Sequence, residues 1–351
     1  MTSYKSKHGT KTTGRKIRRS MARQAGLSMV ELLVAMVIQF VLLTAMVYVY
    51  SSSKQMFTVN EQMGRVQENG RHATDILLYD IRMSGYAGCR SMKEITPNII
   101  ANSPPTFASL TDGLTVYENG SGWTNPTALV RVAGTDVITL QSTRGSGVSL
   151  IESDVDNANI QITANPDGLV ADDLVLISDC SSADLFRATS VSKTAKDPDD
   201  PGDASVTIAH AQSNNTANRL SKIYQTDAQV LSFDAHTYFI AQDGTGEPGL
   251  YEYSFSSNNA TLLTSGIENM QLMLAEDSSG DLEPDLYVDA VSVSDWEAVI
   301  GVRVGLLLRS NNGIASAPRS FMFDGNEANS ANDLRVRKAF WSYGALRNRI
   351  N

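Results

Sequence analysis

The sequence has 351 residues, 29 Lys and Arg against 38 Asp and Glu, and a net charge of −9. That balance disfavours a general nucleic-acid surface, which needs clustered basic side chains. An apolar content of 42% is ordinary for a globular chain, and the roughly 270 residues past position 84 suffice for one large or two small cores.

The chain opens with a tail carrying Lys5, Lys7, Lys11, Arg15, Lys16, Arg18, Arg19 and Arg23 and no acidic residue. From Leu27 to Tyr50 it is then apolar, interrupted only by Ser28, Glu31, Gln39 and Thr44. A bilayer crossing takes about 20 residues, so this stretch is long enough, and the basic flank predicts a cytoplasmic tail. Glu31 does not suit such a segment. An ionisable group there is costly, and by default it marks a function with a partner.

A basic tail, Gly26, a hydrophobic residue and Glu31 at the fifth position after that glycine together resemble the class III signal of type IV prepilins. The resemblance implies that a prepilin peptidase cuts after Gly26 and that Leu27 becomes the N-methylated first residue. It also implies that Glu31 neutralises the amine of Leu27 on a neighbouring subunit as helices bundle into a filament. Ordinary secretion removes the apolar run; here the cut falls before it, and the segment remains as anchor and packing surface. An uncleaved signal anchor is the plainer alternative. Removing residues 1–26 and their eight basic side chains leaves 21 basic against 38 acidic residues, a net charge of −17.

The helix is expected to continue past the membrane. Met56, Phe57, Met63, Val66, Ala73, Ile76, Leu77 and Ile81 lie close to a 3.6-residue stripe, and Gly85 and Gly88 supply the stop. A helix from Leu27 to Ser84 would be ~87 Å long. Its first half would serve membrane and partners, and its second half would pack on a sheet. Gly64 and Gly70 are the expected bend points.

Gln67-Glu68-Asn69-Gly70-Arg71, followed by Asp80-Ile81-Arg82-Met83-Ser84-Gly85-Tyr86-Ala87-Gly88-Cys89, narrows the resemblance to the PilW group of minor pilins. Ile267-Glu268-Asn269-Met270-Gln271, Val302–Ser310 and Ala345-Leu346-Arg347-Asn348-Arg349 extend it to the other end of the chain. Residues 95–260 carry no matching motif.

The middle reads as β-structure, with runs at Leu114–Glu118, Ala128–Val132, Asp136–Gln141, Ile160–Thr163, Leu174–Ile177, Phe186–Val191 and Ser205–Ala209. Later runs are Ala228–Phe233, Thr237–Ala241, Leu250–Phe255, Met270–Leu274, Val299–Leu308, Arg319–Phe323 and Leu334–Tyr343. Gly, Asn, Asp and Pro clusters separate them, as in antiparallel sheets; the sharpest are Ser103-Pro104-Pro105, Lys196–Gly202 and Gly244–Gly249. The two cysteines, Cys89 and Cys180, fall in a part expected to face an oxidising compartment, where a disulfide persists. Closing that loop is worth up to ~4–5 kcal/mol. Two buried free thiols are the alternative.

Two further stretches call for weighing. Asp277, Asp281, Glu283 and Asp285 surround a glycine turn and suggest a calcium loop, but the EF-hand spacing is missing and a polar hairpin loop explains them more simply. Arg335, Arg337, Lys338, Arg347 and Arg349, interleaved with Phe340, Trp341 and Tyr343, have a composition that suits single-stranded nucleic acid; a final strand with one wet face explains it as well. Of the four histidines, His8 lies in the leader, His72 on the helix, and His210 and His236 in separate β regions. No HExxH, GxSxG, Walker or CxxC motif accompanies them, so the sequence reads as a non-enzyme without cofactor.

The expected fold is α+β and type IV pilin-like: a very long N-terminal helix packed on a large antiparallel β domain. The expected organisation is a leader at 1–26, a membrane and filament-core half-helix at 27–50, a periplasmic amphipathic half at 51–88 and a β-rich head at 89–351. The resemblance implies a minor pilin in the bacterial inner membrane that moves to the pilus tip. Its implied partners are the prepilin peptidase, other minor pilins, the major pilin, the inner-membrane assembly platform and a tip adhesin. Nucleic acid is not expected among them. The rival readings are a J-type pseudopilin of type II secretion and a membrane-anchored periplasmic binding module.

Overall fold

A computed structural model describes residues 26, 28–102, 113–151, 158–195, 204–329 and 333–350. The leader residues 1–25, Leu27, the Ser103-Pro104-Pro105 loop and the Lys196–Gly202 loop lie outside the described residues. The chain divides into two units, Met1–Met56 and Phe57–Asn351.

One helix, α1, runs from Met29 to Met83. In the first unit its apolar side chains, from Met29 through Tyr50, are exposed. Its most apolar stretch has a mean hydropathy of 2.5 and no buried residue, and by length and composition the helix can cross a membrane. Such a surface in a soluble setting would be an unpaired apolar face, so it fits a membrane-anchored protein.

In the second unit the same helix becomes one wall of a core. Gln62, Val66, Gly70, Ala73, Thr74, Leu77 and Ile81 are buried, recurring every three or four positions as one helical face requires. Ile76 and Met63 are only partly buried, and Met56 and Phe57 are exposed, so the buried stripe is narrower than the apolar pattern suggested. α1 is continuous through Gly64 and Gly70.

The centre of the β domain is the strand Gln229–Gln242, in a nine-stranded sheet. It pairs antiparallel with Val137–Ser149, Leu174–Ser178 and Pro248–Ser254. A second, four-stranded sheet has the order Leu286–Val288, Ile267–Glu276, Val299–Arg309, Arg337–Ala345, antiparallel throughout. A three-stranded sheet of Asn159–Ile162, Ala204–Ala209 and Ser190–Ala195 and the hairpin Ser320–Phe323/Asn326–Asn329 complete the set. The single departure from antiparallel pairing among the named strands is Asn98–Ile99, parallel to Ala183–Arg187.

Most expected strands are present within a few residues, with two corrections. The runs Ala228–Phe233 and Thr237–Ala241 are one strand, because the intervening Asp234 and His236 are buried inside the sheet. Phe186–Val191 is instead split between Ala183–Arg187 and Ser190–Ala195, which belong to different sheets. The edge strand Asn259–Ser265 carries no apolar alternation that would have revealed it.

The largest core joins α1 to both major sheets: Val66, Ala73, Leu77 and Ile81 share it with Leu140, Tyr238, Ile240 and Leu250, and with Leu272, Leu274, Val302, Val304 and Leu306. A second core, around Phe186, Ile160, Ile208, Tyr224 and Val230, underlies the three-stranded sheet. The fold is therefore α+β, a long helix packed on sheets.

Candidate functional site

At its N-terminus α1 is capped by its own residues. Ser28 Oγ accepts from the Val30 N–H at 3.4 Å, and the Ser28 N–H donates to Glu31 Oε2 at 3.2 Å. Ser28 takes the second helical amide as an N-cap does, and Glu31, three residues on, takes the Ser28 amide, the carboxylate half of a capping box. Together they satisfy amides that no helical carbonyl reaches and set a carboxylate where the helix dipole favours one. Glu31 thus has a role within its own chain, which the prepilin resemblance does not imply. Gly26 and Glu31 are both exposed. Beyond them, the hydroxyl of Thr44 donates to the Phe40 carbonyl at 2.8 Å, so it is satisfied inside the helix.

The second half of α1 brings together sequence blocks far apart in the chain. Asn69 Nδ2 donates to the carbonyl of Ser265 at 3.2 Å, just before the Ile267–Gln271 block. At Gly70 an added Cβ would lie 2.5 Å from the Phe340 ring, and at Gly344 one would lie 2.9 Å from Ile81. Both glycines are there for close approach of helix and sheet. Leu346 is buried in the same core, and Asn348 Nδ2 donates to the Ser84 carbonyl at 2.9 Å, satisfying a helix-end acceptor. Arg349 Nη1 donates to the Val299 carbonyl at 3.2 Å.

After Met83 the chain turns away through Gly85 (φ +74°) and Gly88 (φ +91°), both in the left-handed region that suits glycine. The Gly85 N–H donates to the Gln141 carbonyl at 2.8 Å, and the Met92 N–H to the Gly85 carbonyl at 2.9 Å. Cys89 is joined to Cys180 by a disulfide, with Cα atoms 5.4 Å apart. The bond ties the helix exit to the turn between Leu174–Ser178 and Ala183–Arg187.

A polar chain crosses the joint between α1 and the nine-stranded sheet. The Tyr238 hydroxyl donates to Asp80. Arg144 lies 4.0 Å from Asp80 and 3.4 Å from Glu252. His236 Nδ1 lies 2.5 Å from Glu252 and its Nε2 3.1 Å from Asp234. Asp234 also accepts from the hydroxyls of Ser254 (2.8 Å) and Ser256 (2.6 Å). Burial opposes charge on His236, but Asp234 and Glu252 outweigh it and raise its pKa to about 9. Burial likewise opposes the Asp234 carboxylate, and its contacts with His236 and the two serines hold it down at about 2. Ile76, Tyr79, Asp80, Met83, Arg144, Tyr238 and Glu252 line a cleft of about 440 Å³ here. The arrangement locks the helix onto the sheet through charge that is compensated internally.

The acidic loop at Asp277–Asp285 and the basic Arg335 and Arg337 are both held by contacts within the chain. Asp277 accepts from the amides of Gly280 (2.6 Å) and Leu282 (2.8 Å). Asp285 accepts from the amides of Ser278 and Ser279, both at 2.8 Å, and Asp281 from the amide of Glu283 at 2.9 Å. These carboxylates hold their own loop, and among the described residues no group of three acidic, His or Cys side chains is arranged to hold a metal ion. Arg335 and Arg337 lie in a network of ion pairs. Arg335 reaches Glu247 at 2.8 Å, Arg337 reaches Glu268 at 2.6 Å and Asp333 at 2.8 Å, and Arg309 bridges Glu247 and Glu268. Arg335 holds the Glu247 carboxyl at about 2, and Arg337 does the same for Asp333. The final strand begins at Arg337 and ends at Ala345, somewhat later than the expected Leu334–Tyr343.

Residues 237–348 match the family model of type IV pilus-assembly protein W, PilW. The span holds the Ile267–Gln271 and Val302–Ser310 blocks and most of the C-terminal one; the Gln67–Arg71 and Asp80–Cys89 blocks lie outside it. No curated protein and no solved structure matches the chain.

Proposed function

Taking as premise that residues 237–348 are those of the type IV pilus-assembly protein W family, we propose that the chain is a minor pilin. It is made as a prepilin with a leader at 1–26, and the peptidase cuts after Gly26 and methylates Leu27. Residues 27–50 hold it in the inner membrane and later join the filament core. Residues 51–88 carry the helix into the periplasm, and residues 89–351 form the head. With other minor pilins it primes assembly of the major pilin at the inner-membrane platform and stays at the pilus tip, where an adhesin is its further partner.

The observation that carries this reading is the family match, since the matched strands build the four-stranded sheet against which α1 packs. The exposed apolar surface from Met29 to Tyr50 supports a segment that meets lipid first and other helices afterwards. In the membrane, Glu31 exchanges its pairing with the Ser28 N–H for the methylated amine of a neighbouring subunit, which relieves the cost of a carboxylate in lipid.

Mass spectrometry of the mature N-terminal peptide from native membranes tests the proposal. A peptide beginning at methylated Leu27 is expected. An intact leader, or cleavage beyond Tyr50, overturns it. Glu31→Ala is expected to be cleaved normally and to fail in recruitment; its normal incorporation into filaments would refute the assembly role of Glu31.

A further inference from the structure

The four-stranded sheet ends in two strands of unequal length. One edge is Leu286–Val288, three residues long and shortly preceded by Pro284. The other is the final strand, Arg337–Ala345, nine residues paired on one side only. The Leu346 N–H donates to the Ile300 carbonyl and the Ser310 N–H to the Val336 carbonyl, each at 2.9 Å. Even-numbered residues therefore turn their backbone groups to Val299–Arg309, and by alternation Ala339, Trp341 and Tyr343 turn theirs to the open side. Among the described residues nothing hydrogen-bonds the N–H and C=O groups of those three. Tyr343 is exposed, and Ala339 and Trp341 are half-buried.

An open edge invites pairing with a foreign strand, and folded proteins blunt it by shortness, proline, a bulge or a cover. The outer strands of the nine-stranded order carry such devices. Asn98–Ile99 is two residues long. Asn259–Ser265 is bulged where it passes Leu250 and Tyr251, and its Ser265 carbonyl is taken by Asn69 at 3.2 Å. Arg337–Ala345 contains no proline and keeps one register through all nine pairs. The hairpin Ser320–Phe323/Asn326–Asn329 reaches it only by side chains: Phe323 stacks on Trp341 at 5.4 Å, while the hairpin strands pair with each other.

Backbone and charge together select what pairs there. Unpaired N–H and C=O groups at every second residue are matched by a second extended chain. On the inner face α1 flanks the strand, since a Cβ at Gly344 would lie 3.1 Å from Leu78 and one at Gly70 2.5 Å from Phe340. Arg71 and Arg82 share the helical stripe of Leu78, seven positions before it and four after. Lys338 turns to the same face, its ammonium 5.3 Å from the Phe340 centroid. Among the described residues neither Lys338 nor Arg82 has a carboxylate within ion-pair distance, and Arg71 meets the exposed Asp75 at 3.6 Å. A strand laid beside Tyr343 sets every second side chain along this basic flank, where acidic residues are compensated and basic ones repelled. We infer that the free edge of Arg337–Ala345 takes an extended acidic segment of another polypeptide as a fifth strand of the sheet.

The test uses the full chain in detergent micelles and two synthetic probes, a capped Glu-Val-Thr-Val-Glu-Val-Glu peptide and its Lys-for-Glu counterpart. Fluorescence anisotropy of the labelled peptides reads binding, hydrogen exchange at single-residue resolution locates it, and thermal melting monitors the fold. The amides of Ala339, Trp341 and Tyr343 are expected to exchange fast in the chain alone and slowly with the acidic peptide, while those of Phe340 and Ser342 are slow in both. The acidic peptide should bind roughly tenfold more tightly than the basic one at low salt, and added salt should narrow the gap. Ala339→Pro removes an outward N–H, which an edge strand tolerates, and should abolish binding with an unchanged melting temperature. Lys338→Glu keeps every backbone group and should cancel the preference for acid.

No binding at millimolar concentration, equal or tighter binding of the basic peptide, binding that survives Ala339→Pro, or a preference untouched by Lys338→Glu overturns the inference. So does protection of the three amides without peptide: if it persists on dilution the chain's own residues cover the edge, and if it is lost a second copy does. The edge is open whatever the fate of residues 1–26, so the assembly reading and this one fail separately.

Discussion

Tyr238, in the middle of the longest strand, donates its hydroxyl hydrogen bond to Asp80, on the last turns of the long helix. Tyr238 is fully buried, and both burial and the Asp80 charge push its pKa upward, so it remains the donor at any physiological pH. Tyr238→Phe is expected to cost ~1–2 kcal/mol by urea unfolding. A double-mutant cycle with Asp80→Asn should return a positive coupling; additive effects would mean that the contact does not join the elements.

Gly70 and Gly64 should respond in opposite directions to the same substitution. Alanine ordinarily stabilises a helix interior by ~1 kcal/mol over glycine, and Gly64 has nothing within 4 Å of an added Cβ. Gly64→Ala should therefore raise the unfolding midpoint. At Gly70 the methyl would be driven into the Phe340 ring, and overpacking of this kind costs ~1–3 kcal/mol. Gly70→Ala should lower the midpoint, and Gly70→Ala/Phe340→Leu should recover part of the loss.

The charged chain through His236 predicts an alkaline loss of stability. Its pKa is raised from 6.5 to about 9 in the folded state, so its contribution is complete below the unfolded value and disappears as pH rises through about 9. With Asp234, Glu252, Arg144 and Asp80 as its surroundings, the expected loss between pH 6.5 and 9.5 is ~2–3 kcal/mol. His236→Gln should be less stable at pH 6.5 and should flatten that decline. His210, fully buried with its pKa lowered by burial, has the opposite sign: its contribution is present above the unfolded value and is lost as pH falls below it. Unfolding curves across this range check both.

Reduction of the Cys89–Cys180 bond releases a loop of 91 residues. The paired Cys89→Ser/Cys180→Ser variant is expected to lose ~2–4 kcal/mol, and a reducing agent should bring the wild type down to the same midpoint and leave the variant where it is.

Calcium should leave the melting temperature unmoved. The Asp277 and Asp285 oxygens that a cation would need already accept amides of their own loop. A rise of several degrees in millimolar calcium would contradict that arrangement.

Much of this protein was legible along the chain because its signals are local. The apolar run from Leu27 to Tyr50, the 3.6-residue stripe through Val66, Ala73, Leu77 and Ile81, the glycines after Met83 and alternation in strands such as Val299–Arg309 depend on neighbours two to four positions away. Those rules state which element forms and where it ends. They do not state what each element touches. Gly70 reads as a weak point in a helix until Phe340, 270 positions later, is seen lying against it. Asp234 and His236 read as a break between two strands until Glu252, Ser254 and Ser256 neutralise and hydrogen-bond them inside one sheet. Arg303 and Arg337 have the same side chain on adjacent strands, yet register gives one a carboxylate and the other a ring face. Burial, charge compensation and close approach are set by partners distant in sequence, and only folding brings those partners within range.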